Sequence, residues 1–247
     1  MNRPPILFAA AIFTLMTACD RAPVDPLVLA PSKMMDFNAL YAKNCAGCHG
    51  KEGKGGAAIG LGDPVYLAIA DDATIGSITS KGVPGTSMPA FAQHSGGMLT
   101  DAQIGVIVGG IRTHWAKPDA LRDAHPPPYI AKSPGDAKRG AAVYGVYCSS
   151  CHGADGRGSA RASSIVDSSY LALVSDQSLR TTVIVGRPEM GAPDWRGNVP
   201  GKPMSAEEVS DVVAWLASQR PCGAGPRPAV DLNSARSGTC PTTEVIR

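Results

Sequence analysis

Aromatic side chains make up only 5% of this 247-residue chain, whereas glycine and proline supply 28 and 21 residues. Small domains with so few large rings cannot fill their own cores, so another bulky group has to complete them. Charge of one sign is also missing: 23 basic and 21 acidic residues leave a net +2. That balance offers no electrostatic basis for binding nucleic acid. No apolar run reaches the roughly 20 residues that span a bilayer, and period-2 strand patterning is scarce. The length suits one large or two small domains.

The N-terminus reads as an export signal: Arg3 gives a positive start and residues 6–16 form a short apolar run. It ends in Leu15-Met16-Thr17-Ala18-Cys19, which resembles a bacterial lipoprotein signal whose cysteine becomes the lipidated first residue. That family places leucine three positions before the cysteine; here Leu15 stands four before it. The other reading is an ordinary secretory signal with an incidental Cys19. Asp20 resembles an inner-membrane retention signal. Removal of residues 1–18 loses one basic residue, Arg3, leaving 22 basic against 21 acidic side chains. The expectation is a domain set exported to the periplasmic side of a bacterial membrane and tethered there through Cys19, since several acyl chains anchor stably.

The chain repeats itself. Asn44-Cys45-Ala46-Gly47-Cys48-His49-Gly50 returns as Tyr147-Cys148-Ser149-Ser150-Cys151-His152-Gly153, each followed by a glycine-rich loop. Those loops lack a following Gly-Lys-Ser/Thr and are not phosphate cradles. Residues 66–82 then match 170–186 without a gap, with Asp72 opposite Asp176 and Pro84 opposite Pro188. Both halves end on a capping-box signal, Thr100 with Gln103 and Ser205 with Glu208. Helical apolar spacing follows in each: Ile104, Ile107, Val108, Ile111, and Val209, Val212, Val213, Leu216. Between the halves, Pro126-Pro127-Pro128 predicts a stiff, extended connector. We therefore divide the chain into a signal (1–18), a tether (19–33), a first domain (34–115), a linker (116–133), a second domain (134–220) and a tail (221–247).

Three chemistries fit a Cys-x-x-Cys pair. A redox dithiol would occur once, beside a βαβ pattern, and a zinc site needs a fourth nearby ligand. In Cys-x-x-Cys-His the thiols add across the two vinyl groups of haem and the imidazole binds the iron from one face. On a helix, Cys45, Cys48 and His49 share a side. Two copies in an exported chain point to two haem c groups, held by Cys45 and Cys48, and by Cys148 and Cys151.

On these motifs each half resembles a class I cytochrome c, and the pair resembles the tandem di-haem cytochromes of bacterial periplasms. The resemblance implies an all-α fold around each haem, with His49 and His152 as proximal ligands and a methionine from a later loop on the opposite face. Met88, in Met-Pro-Ala-Phe, is similar to the family's ligand loop. In the second half, superposing the capping boxes sets Met204 opposite Leu99 and leaves Met190, four residues after Gly186 where Met88 is six after Gly82. Met98 and Met204 are expected to pack in the core, and His94, His114 and His125 to lie on the surface. Tyr66 and Tyr170, at matching positions, are candidates for haem propionate contacts or core tyrosines. The family packs a glycine of its first helix on an aromatic of its last; Gly140 and Trp215 fit, while Phe37 and Gly110 exchange large for small.

Cys222 and Cys240 remain. In an oxidising compartment the expectation is a disulfide between them, worth about 3 kcal/mol; the alternative is two free thiols. A haem iron with histidine and methionine on its two faces has no open position, so the functional expectation is electron transfer to redox proteins without bond-making chemistry, as a subunit of a respiratory or photosynthetic membrane complex or as a free-standing tethered shuttle. The competing expectation is a haem subunit of a periplasmic oxidoreductase, of the thiosulfate or sulfite dehydrogenase or peroxidase type, with one replaceable haem ligand.

Overall fold

The computed structural model describes residues 30–122 and 124–220. Pro31–Lys33 form a 3-10 turn ahead of the first domain. Beyond it, the described residues form helices joined by loops, with backbone pairing limited to isolated bridges. The first half holds α1 (Phe37–Asn44), α2 (Ala46–His49), α3 (Pro64–Ile69), α4 (Asp72–Lys81) and α5 (Asp101–Trp115). The second repeats them as α6 (Ala137–Tyr147), α7 (Ser149–His152), α8 (Ser168–Leu173), α9 (Asp176–Val185) and α10 (Ala206–Ser218).

The helices start at matching caps. Side chains of Asp36 and Asp136, Asp63 and Asp167, and Asp71 and Ser175 each accept a backbone N–H from the turn they open. Thr100 and Ser205 close the expected capping boxes. Such caps are worth about 1 kcal/mol each. The apolar spacing read from the sequence becomes the buried stripe of α5 and of α10.

In each half the last helix crosses the first through a glycine. A Cβ on Gly110 would overlap the ring of Phe37, and one on Gly140 would overlap the Asp211 carbonyl and press on Trp215. Large and small residues thus sit on opposite helices in the two crossings, as close packing allows. Trp115 meets Tyr41 edge-on at 4.9 Å, whereas Trp215 stacks on Tyr144 at 4.2 Å.

A second correspondence is invisible in linear alignment. Arg112 of α5 donates to the carbonyls of Leu67 and Ala70 and pairs with Asp72. In the second half the same three acceptors, Leu171 at 3.1 Å, Val174 at 3.0 Å and Asp176, are served by Arg220. Counted from the capping boxes, the two arginines stand at different places, Arg112 within α5 and Arg220 just beyond the end of α10. Each closes the orphan carbonyls of one short helix and the first turn of the next.

The connector is docked rather than free. Arg180 of α9, buried, donates to Pro128 O at 2.8 Å, Tyr129 O at 3.1 Å and Ser210 Oγ at 3.1 Å. Gln177 adds a bond to Tyr129 O at 2.9 Å. Across the two halves, Arg187 Nη2 donates to Gly56 O at 2.6 Å.

Candidate functional site

The Cys-x-x-Cys-His segments lie where α1 runs almost directly into α2 and α6 into α7. Tyr41 and Tyr144, four residues before the first cysteine, reach over the motif to bond the carbonyls of Gly50 and Gly153. None of the four motif cysteines is taken up in a disulfide. Burial, reinforced by the neighbouring cysteine, pushes Cys45 and Cys148 up to about 11, so both are protonated near neutral pH. Among the described residues no three His, Cys, Asp or Glu side chains converge as a metal-ion site.

The histidines are set identically. His49 Nδ1 lies 2.8 Å from Ile59 O and His152 Nδ1 lies 2.9 Å from Ser163 O. A carbonyl only accepts, so Nδ1 carries the proton and the neutral ring keeps its Nε2 lone pair for a metal. Burial also holds His49 below the usual imidazole range. Gly50, Gly53 and Gly55 all have positive φ, as do Gly153, Gly156 and Gly158. Glycine adopts this conformation without a side-chain penalty; what crowds Gly53 is the chain itself, Gly62 and Trp115. Two thiols one turn apart, a tied imidazole and a backbone folded back beneath them fit a covalently attached haem in both halves.

The methionine loops differ. Met88 is half-buried, and its carbonyl accepts from Val83 N at 3.0 Å. Met190 ends a 3-10 turn, Pro188–Met190, and is 71% exposed. Met204 is 2% exposed and receives the place of Leu99: its N–H donates to Trp195 O as that of Leu99 does to Phe91 O. Met98 corrects the expectation of core packing. It is 77% exposed, because the Gly96-Gly97 turn delivers Leu99 rather than Met98 to the interior. His94, His114 and His125 lie at the surface, His114 stacked on Phe37 at 4.7 Å.

Tyr66 and Tyr170 occupy matching helices but different surroundings. Tyr66 is 4% exposed, with Tyr129 and Arg112 nearby; Tyr170 is 38% exposed, with Arg187 nearby. Burial raises both phenols. Cys19, Cys222 and Cys240 fall outside the described residues. No helix among the described residues is long and apolar enough to cross a membrane. The residues that sequence reasoning missed are Arg112 and Arg220, whose only signal was the Asp72–Asp176 match, and Arg187, which carried none.

The model of the family described as cytochrome c oxidase, cbb3-type, subunit III matches the chain twice, at residues 32–109 and 135–216. The chain belongs to this family. As a member with two matched segments it is a tandem class I cytochrome c of all-α fold, with two haem c cofactors. No curated protein sequence matches it. Among solved structures, it is similar to a chain of the reducing HAO-like protein complex of Kuenenia stuttgartiensis, at 18% identity and TM-score 0.44, covering 78% of this chain and all of that one. It is also similar to the thiosulfate dehydrogenase TsdBA of Marichromatium purpuratum, at 15% identity and TM-score 0.31, covering 80% of this chain and 48% of that one. Cytochrome c4 of Acidithiobacillus ferrooxidans matches at 17% identity and TM-score 0.23, over 72% and 99% of the two chains.

Proposed function

We propose that this family member passes single electrons between redox proteins on the periplasmic side of a bacterial membrane, as a subunit of a membrane respiratory complex. The observation that carries the reading is the duplication of one complete haem-attachment unit. Each half presents two thiols on one turn and an imidazole whose Nδ1 is tied 2.8 or 2.9 Å from a carbonyl. Haem c supplies a one-electron couple; the protein's part is to hold it and to limit reorganisation. In this reading Cys45, Cys48, Cys148 and Cys151 form the thioethers, His49 and His152 are proximal ligands, and Met88 is the distal ligand of the first haem. Tyr66 and Tyr170 contact propionates, Cys19 carries the lipid anchor, and Cys222 pairs with Cys240. The family description, which names an oxidase subunit, supports a respiratory rather than a photosynthetic setting.

The test is a tagged full-length chain expressed in its own host. We expect it to co-purify with a membrane oxidase and to be reduced and reoxidised in single-electron steps. Steady turnover of thiosulfate, sulfite or hydrogen peroxide by the isolated chain would establish the enzyme reading instead.

A further inference from the structure

The loop after α9 follows the loop after α4 residue for residue at both ends. Thr86 N donates to Val83 O at 3.1 Å, and Met190 N donates to Arg187 O at 2.8 Å. Val83 N donates to Met88 O at 3.0 Å, and Arg187 N donates to Ala192 O at 2.9 Å. The glycine before each loop confirms the register. A Cβ on Gly82 would stand 2.8 Å from Met88 O, and one on Gly186 would stand 2.7 Å from Ala192 O. Three independent backbone relations therefore pair Met88 with Ala192 and Thr86 with Met190. Met88 and Ala192 are both half-buried, whereas Met190 is on the exposed 3-10 turn. The second half presents a methyl group, with no lone pair, where the first presents a thioether.

Among the described residues, the second half offers no substitute histidine or methionine at this position. Of the five histidines, only His152 lies beyond residue 125, and it belongs to the attachment motif. Asp194 is bound by Arg196 at 2.6 Å, and Lys202 lies over the Tyr147 ring at 5.3 Å. Met204 is packed at the core position of Leu99.

We infer that the second haem pocket is built without a protein ligand on its distal side, and that the position at Ala192 admits an exchangeable diatomic ligand to the ferrous iron. The inference rests on the haem reading above and gives the two halves different roles. The first is a closed carrier through His49 and Met88. The second transfers electrons and also binds a gas.

The probe is carbon monoxide, titrated into the dithionite-reduced full chain, with haem counted independently by the pyridine haemochrome method. We expect two haem c and about one carbon monoxide bound per chain. Met190→Leu should leave that stoichiometry unchanged, Met88→Ala should raise it to about two, and Ala192→Met should abolish it. In the oxidised protein, the far-red band of methionine-ligated ferric haem should double in Ala192→Met. Two haems with no carbon monoxide uptake, or uptake appearing only in Met190→Leu, would overturn the inference and assign Met190 as ligand in the second case. Uptake of two by the wild type, or one that persists in Ala192→Met, would also overturn it. A chain that acquires no haem would refute the haem reading itself. Should Ala192→Met misfold, the comparison of wild type with Met190→Leu still decides.

Discussion

Asp211 shows how one residue ties the second domain together. Its buried carboxylate accepts from Arg139 at 2.7 and 2.9 Å and from the backbone N–H of Asp136 at 2.7 Å. The Arg139 hydrogen bonds hold it below the usual carboxylate range, against the opposing effect of burial. A depressed folded-state pKa contributes stability above the unfolded value, about 3.9, and that contribution disappears as pH falls through the folded value. Asp211→Asn should therefore cost about 1–3 kcal/mol near neutrality, discounted because Arg139 is itself largely solvent-exposed. Denaturant unfolding from pH 7 down to pH 3 checks this. The gap between wild type and variant should narrow in acid, and a gap independent of pH would refute the assignment.

At the scale of elements, α6 contains its own control. Gly140 faces the Asp211 carbonyl, while nothing lies within 4 Å of a Cβ placed on Gly145. Gly140→Ala should destabilise the second domain by more than about 2 kcal/mol, because backbone rather than a flexible side chain must give way. Gly145→Ala should stabilise it by about 0.5–1 kcal/mol through helix propensity. Thermal unfolding followed by circular dichroism distinguishes the pair. This glycine crossing was legible beforehand, as were the capping boxes, the buried stripes of α5 and α10 and the attachment motifs, because each depends on residues close in sequence. The arginine clasps were not legible, since Arg112 and Arg220 share targets but not helix positions. The loop after α9 is a subtler case. An ungapped match continued past Gly186 already sets Ala192 opposite Met88, but seeking a methionine leads to Met190. Backbone hydrogen bonds follow register, not residue type.

For the whole molecule, Arg180 makes the connector part of the second domain. Arg180→Ala removes its bonds to Pro128, Tyr129 and Ser210, so the segment should open locally more often. Trypsin cleavage after the exposed Lys132 should accelerate, on the order of tenfold for about 1.4 kcal/mol of lost local stability, with haem content unchanged; an unaltered cleavage rate would show that other contacts hold the connector. The two arginine clasps have a different reach. A copy of α5 set into the second half at the register of its capping box would bring arginine to position 217, tryptophan to 220 and glycine to 215. The clasp would then lie on the wrong turn, and Gly140 would face another glycine across an empty crossing. The reverse graft would drive a tryptophan into Phe37. Sequence exchange between the halves, the process that keeps tandem duplicates alike, would thus yield chains that fold poorly. Selection against such recombinants would leave each half to diverge on its own, which is the condition the proposed difference between the two distal pockets requires.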